Sequence, residues 1–334
     1  MKHSRFQIPD SRLAGILATC FLVGLGCSEE KGSGLGKDFS YDLTELRKVD
    51  PKLILYEEAA PIGTGLKEAR GLAVDSKDWV YVVGELDLDD VGLGKETVSI
   101  WDPAGKRWTG HKLSCAGRCL AVAADGTLYI GTKDHVEVHD ATGGRNAPFP
   151  SLGEKAIVTS VAVGDGSVFV ADAGNRVVVH YDLAGKQVGL IGKKDEARDI
   201  PGLVVPSPHL DLALGRDGLL WVVNPGRHKL QAFTLAGDLE ASWGKPSVNI
   251  EGFSGCCNPT DFAILPDGRF VTAEKGIPRV KVYSAEGKFE CVVAAPERFE
   301  KDVVGLDLAV DSQGRILVLD PAARKVRVFV RKGT

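Results

Sequence analysis

Val161-Ala162-Val163-Gly164-Asp165-Gly166-Ser167-Val168-Phe169-Val170-Ala171-Asp172-Ala173-Gly174-Asn175-Arg176-Val177 is the stretch on which the fold turns. An apolar strand, an Asp-Gly turn and a second apolar strand follow one another, and Asp-Gly between apolar runs is the strongest short signal for a hairpin. A polar loop then leads into a third strand at residues 177–180. Asp182-Leu183-Ala184-Gly185 turns toward a fourth, less regular strand at residues 188–191. One such sheet cannot bury both of its faces alone, so the pattern demands neighbours.

The neighbours are in the sequence. The opening apolar-Ala-apolar triplet appears as Leu72-Ala73-Val74, Leu120-Ala121-Val122, Val161-Ala162-Val163, Leu212-Ala213-Leu214, Phe262-Ala263-Ile264 and Leu308-Ala309-Val310, with alanines 48, 41, 51, 50 and 46 residues apart. Five of the six units continue with an Asp-Gly or Gln-Gly turn, and the first has Lys77-Asp78 instead. Six four-stranded units of 40 to 50 residues predict an all-β fold, a six-bladed β-propeller. The sixth unit ends at Phe329-Val330 without a fourth strand, while Leu53-Ile54-Leu55-Tyr56 stands unpaired before the first. Giving that N-terminal strand to the last blade closes the ring without an exposed edge.

The pattern Ala-Val-x-x-x-Gly, apolar strand, Asp-x-Gly-Asn-x-Arg-Val resembles the NHL repeat, with residues 168–177 the best match and about residues 51–330 covered. Gly255-Cys256-Cys257-Asn258-Pro259, with Val271-Thr272-Ala273-Glu274-Lys275-Gly276 and Arg279-Val280-Lys281-Val282-Tyr283, is similar to a recurring bacterial NHL subfamily. The resemblance implies the propeller and little about chemistry, because this architecture hosts lyases, hydrolases and pure binding modules.

The chain of 334 residues is 44% hydrophobic and 26% charged, which excludes a largely disordered or collagen-like protein. The net charge is −4 and no cluster of five or six Lys/Arg occurs, which gives nucleic acid and anionic membrane surfaces no purchase. Lys2, Arg5 and Arg12 followed by the apolar residues 13–26 read as a signal peptide, too short to span a bilayer. Val23-Gly24-Leu25-Gly26-Cys27 resembles a lipobox, with Gly24 where Leu is usual, and the resemblance implies lipidation at Cys27. The expected organisation is therefore a signal peptide at 1–26, a lipid-anchored Gly- and Ser-rich tether at 27–50, and the propeller at 51–334. Such a product is exported to the cell envelope or periplasm and meets the membrane only through its anchor.

Propeller topology sets the loops before the inner strands and those between second and third strands on one face, where functional residues belong. Arg70, Cys115, Cys119, His209, Cys256, Cys257, Asn258, Glu274, Lys275 and the insertion at 85–97 fall there. Just before each apolar-Ala pair, or opening it, stand Gly71, Cys119, Ser160, Asp211, Asp261 and Asp307. Asp211, Asp261 and Asp307 are candidate ligands for a divalent cation, since hard ions favour carboxylates. Short polar residues at strand starts more often bond backbone N–H groups. The cysteines admit loop disulfides, a thiolate-bound metal or plain structural thiols, and their spacing does not choose. Asp87-Leu88-Asp89-Asp90 lacks the rest of a calcium loop.

No Gly-x-Ser-x-Gly, phosphate-binding Gly loop or HExxH occurs. The three-histidine zinc site of the amidating lyases is not matched, with only His209 suitably placed, and the opening motif of gluconolactonases is missing. The expectation is a binding module for a protein or small-molecule ligand at the cysteine-bearing face. The alternatives are a metal-dependent hydrolase or lyase of the gluconolactonase or amidating-lyase type, and a redox accessory protein using Cys256 and Cys257.

Overall fold

The computed structural model describes residues 43–87, 95–301 and 303–333. The signal segment, Cys27, and Asp89 and Asp90 of the insertion lie outside the described residues. Six antiparallel sheets follow one another along the chain. Blade one comprises Leu66–Val74, Val80–Leu86, Glu96–Trp101 and Arg107–Lys112, and blade two Cys119–Val122, Leu128–Gly131 and Val136–His139. Blade three is Val158–Gly164, Ser167–Asp172, Val177–Asp182 and Gln187–Ile191, and blade four Leu212–Leu214, Leu220–Asn224, Lys229–Phe233 and Leu239–Trp243. Blade five is Asp261–Ile264, Phe270–Glu274, Arg279–Tyr283 and Phe289–Ala294, and blade six Asp307–Val310, Ile316–Asp320 and Lys325–Arg331.

The apolar strands are continuous because both faces of every sheet are covered. Successive side chains of a strand point to opposite faces. In blade four, Val222 enters the core shared with blade three, beside Phe169 and Ala171, while Trp221 and Val223 enter the core shared with blade five, beside Phe262 and Phe270. Blade six divides likewise, with Ile316 and Val318 meeting blade five and Leu317 and Leu319 meeting blade one. The remaining cores join blades one to two and two to three. Stability is thus held between blades and is lost if the ring opens.

The expected closure is present. Tyr56–Glu58 pairs antiparallel with the last strand, Tyr56 opposite Arg331 and Glu58 opposite Phe329. The strand begins later than residues 53–56 because Asp50 and Pro51 start a 3-10 turn over Pro51–Leu53, the Asp50 carboxylate accepting from the Lys52 amide. Leu55 then accepts from the Lys332 amide and donates to Val292 O of blade five, so the segment spans two blades. Arg327 locks the junction: its Nε and Nη2 reach the two Glu58 oxygens at 2.9 and 2.6 Å, and Phe299 and Phe329 cover the guanidinium. Upstream, the end of the expected tether forms one helical turn, Thr44–Arg47, and Arg47 donates to Gly276 O at 3.2 Å.

Blade two lacks a regular fourth strand. The Asn146, Phe149 and Leu152 amides donate to Val138, Val136 and Asp134, steps of three residues rather than two. Pro148 and Pro150 have no N–H to continue a ladder.

Arg327→Met would leave the Glu58 carboxylate, where the ring closes, with only the more distant Arg298 at 3.7 Å. Breaking a buried pair costs about 3–5 kcal/mol, and denaturant unfolding should show a loss near the lower figure, since Glu58 keeps some exposure. A loss under about 1 kcal/mol, the range of exposed pairs, would remove this contact from the closure.

Candidate binding face at the channel mouth

An inner strand has one edge toward its own sheet and one toward the central channel, so alternate N–H groups on the channel edge need acceptors. Three aspartates supply them, each to the next blade. Asp211 accepts from the Phe262 amide at 2.9 Å, Asp261 from Leu308 at 2.9 Å and Asp307 from Leu72 at 2.7 Å. These bonds join blades four to five, five to six and six to one. The equivalent places in blades one to three hold Gly71, Cys119 and Ser160, of which Ser160 bonds Asp211. Gly71 is required, since a Cβ there would stand 2.8 Å from Cys119 Cα and 2.9 Å from Arg118 O.

The carboxyls line a channel of about 770 Å³. Burial brings Asp211 up to about 6, and burial with the nearby Asp211 brings Asp307 up to about 7. Asp261 is pushed well above the ordinary carboxylate range by burial, Asp211 and Asp307, and it shares a hydrogen bond with Asp307. In that hydrogen bond Asp261 is the donor and Asp307 the acceptor. The trio is a set of protonation-linked stitches, with its oxygens turned to backbone and to each other.

Above the ring, the mouth is lined by Glu68, Arg70, Arg118 and His209. Arg70 is engaged by Glu68, Glu96 and Gly117 O. Arg118 is exposed, and no side-chain hydrogen bond or ion pair to it is found among the described residues. Burial and then the Lys275 charge bring His209 down to about 4, so it is neutral at physiological pH. Lys275 donates to Ser207 Oγ at 3.1 Å.

The remaining candidates divide into exposed and internal groups. Cys256 is exposed and Cys257 buried, with their sulfurs 3.0 Å apart. Cys119 fills the space over Gly131, where a Cβ would come within 2.4 Å of its sulfur. Cys115 turns instead to Glu137, at 3.2 Å, so a Cys115–Cys119 bridge is not formed and the described cysteines are thiols. Burial and the Glu137 carboxylate raise the Cys115 thiol to about 11.

Asn258 and Glu274 are not presented at the mouth: each is 1% exposed. Asn258 bonds Ser254 O, Lys275 O and Lys275 N, folding the cysteine loop onto the strand end. Glu274 meets Lys281 at 2.6 Å and Arg279 at 2.9 Å and accepts from the Ser254 amide at 3.3 Å. Burial works to raise this carboxyl, yet the charges of Lys281 and Arg279 outweigh it and hold it below its ordinary value. The repeats carry the reason. Asp172 and Asn224 end the second strands of blades three and four as Glu274 ends that of blade five, and they receive the amides of Ile157 and Val204. This place captures the incoming inter-blade loop.

Two groups escaped the sequence reading. Arg118 sits inside the Cys115–Cys119 loop and was overshadowed by it. Glu137 lies in an outer strand whose residues are all buried, and its signal is an acid where other blades put Gln231, Lys281 and Arg327. Burial would raise Glu137, but hydrogen bonds from His139, Ser114 and Cys115 bring it to about 2.

A carboxyl whose folded pKa is raised leaves stability untouched below its unfolded pKa and costs stability as pH rises from about 4 through the folded value. Asp261→Asn keeps an acceptor for Leu308 and a donor for Asp307 but cannot ionise. Its stability relative to the unsubstituted chain should therefore rise between pH 4 and 8, by more than about 1.4 kcal/mol, one pKa unit's worth. Paired unfolding curves across that range measure it, and a relative loss at pH 8 would show that the charge is needed.

No family profile matches the chain, and no curated protein matches its sequence. Solved structures do. A structural genomics protein of unknown function from Bacteroides thetaiotaomicron matches with TM-score 0.58 and 14% identity over 82% of this chain and 72% of that one. Virginiamycin B lyase from Staphylococcus aureus matches with TM-score 0.57 and 12% identity over 82% and 99%. The WD40 β-propeller domain of Doa1 matches with TM-score 0.54 and 15% identity over 83% and 97%. At such identity the likeness speaks for the fold alone: the chain is a six-bladed β-propeller.

Proposed function

We propose that this is an NHL-type propeller acting as a binding module at the cell envelope, with its ligand at the channel mouth. One observation carries the reading. The carboxyls a catalytic cation would need are engaged by the Phe262, Leu308 and Leu72 amides, while Arg118 stands exposed at the rim. Arg118 at the mouth, and Lys275, whose charge acts on the neutral His209, favour a ligand with an anionic group. The same engagement weakens the hydrolase or lyase alternative, including a lyase activity like that of virginiamycin B lyase.

The NHL assignment rests on the resemblance of residues 168–177 to that repeat, in which Asp172 holds the Asn175 amide at 3.1 Å and its side chain at 2.6 Å. Export and anchoring rest on the leader and Cys27. Cys27→Ser should move the chain from the detergent phase to the aqueous phase on phase partition. Retention in the detergent phase would contradict lipidation.

A second reading has its own support in the 3.0 Å separation of the Cys256 and Cys257 sulfurs. In it the two thiols lose two protons and two electrons to a partner disulfide and close a vicinal disulfide.

Calorimetric titration of the full chain with carboxylate, phosphate and acidic-peptide ligands tests the binding reading. The expected result is saturable binding that Arg118→Ala with Lys275→Ala weakens about tenfold or more, 1.4 kcal/mol. Binding indifferent to that pair would move the ligand elsewhere, and turnover lost in Asp261→Asn would favour the enzyme.

A further inference from the structure

Blade two departs from blades five and six at one register position. In blades five and six an acid ends the second strand and a base on the third strand answers it, Glu274 with Lys281 at 2.6 Å and Asp320 with Arg327 at 3.5 Å. Gly131 pairs with Val136 as Ala273 pairs with Val280, so Thr132 stands where Glu274 does and Glu137 where Lys281 does. The acid thus stands on the third strand, and no base answers it from the second. Glu137 is 6% exposed, and no Lys or Arg pairs with it among the described residues. A buried carboxylate needs a positive partner.

Other groups gather round it. The Ser114 hydroxyl and the Cys115 thiol both turn to Oε1, the thiol at 3.2 Å, and His139 Nε2 lies 3.0 Å from Oε2. Ligand atoms of Cys115, His135 and Glu137 all lie within 4.8 Å of one another. We propose that Cys115, His135 and Glu137 form a zinc(II)-type metal site on the rim of blade two, with a fourth position open to solvent.

The dimensions fit. Bonds of about 2.0–2.3 Å at tetrahedral angles place neighbouring ligand atoms about 3.3–3.8 Å apart, and the sulfur-to-Oε1 distance is already 3.2 Å. The donors fit as well, because one thiolate, one imidazole and one carboxylate suit zinc better than calcium or magnesium. His135 is prepared for the role: Asp134 Oδ1 and Thr132 Oγ1 hold its Nδ1 at 2.9 and 3.0 Å, a partnership that fixes the tautomer leaving Nε2 free to ligate. Ser151 steadies Asp134 in turn through the other carboxylate oxygen, at 2.5 Å.

Binding balances simply. The dication replaces the Cys115 thiol proton, which leaves to solvent, and thiolate, carboxylate and dication sum to zero charge beside the buried strand. Cys115 and His135 are partly exposed, so the fourth position is open to water or to a donor atom of a ligand. Three protein ligands with one exchangeable place is the arrangement of zinc centres that act on a bound molecule. The site stands on residues other than those assigned to the channel mouth and does not depend on that reading.

Cobalt(II) titration of the full chain, purified without chelators, tests it. The expected result is one Co²⁺ per chain with a thiolate-to-cobalt charge-transfer band and tetrahedral ligand-field bands, displaced by Zn²⁺. Cys115→Ser should abolish the charge-transfer band, and His135→Gln should weaken binding about a hundredfold. Asp134→Asn should keep the band and weaken binding about tenfold. The double variant Cys256→Ser with Cys257→Ser should leave everything unchanged. Absence of the band, or a band that survives Cys115→Ser and disappears with the vicinal pair, would overturn the proposal. Circular dichroism checks the fold of each variant, and His135→Gln, in a loop, decides the matter if Cys115→Ser does not fold.

Discussion

The hydrogen bond from the Leu72 amide to the Asp307 carboxylate ties the first inner strand to the last, and the ring exists only if that seam closes. Every inter-blade core depends on it, because each core is built from the faces of two successive sheets. At the outer radius the same seam is closed by Tyr56–Glu58 and Arg327. Inner and outer closures are chemically different. The inner one uses carboxyls that burial raises above their ordinary range, whereas the outer one uses an ion pair in which Arg327 holds Glu58 below its ordinary range.

Variation among the blades has a positional logic. In blades three to five the residue ending the second strand captures the loop arriving from the previous blade, and in blades five and six a base on the third strand neutralises the acid at that place. Lys281 shows how far this goes: it is fully buried, bonded to Glu274, Ile250 O and Gly252 O, and sits over Phe253 and Tyr283. Burial lowers it to about 8 against the pull of Glu274. Blade two, which has neither a regular fourth strand nor this acid–base order, is where the frame leaves a buried acid to be answered by Ser114, Cys115 and histidines.

The fold was legible because the Ala-centred triplets and Asp-Gly turns are local signals repeated six times, and repetition turns weak propensity into topology. Closure was legible by counting strands. The late start of the first strand was not, since it depends on Asp50 capping a turn at Pro51. Site residues were legible by face and not by exposure. Asn258 and Glu274 have the topological address of the mouth, but Glu274, at a strand end, turns inward to Lys281 and Arg279, and Asn258, in the loop, turns to Ser254 and Lys275. Glu137 was hidden because recognising it requires aligning strands across blades, a comparison of registers rather than of motifs.

The ring carboxyls as inter-blade stitches are the centre of this account, and amide hydrogen exchange reads them directly. If Asp307, Asp261 and Asp211 hold Leu72, Leu308 and Phe262, those three amides should exchange only through global unfolding although they face the channel. Exchange at the rates of frayed edge amides, with the blade cores still protected, would contradict it and return the carboxyls to the channel as free ligands.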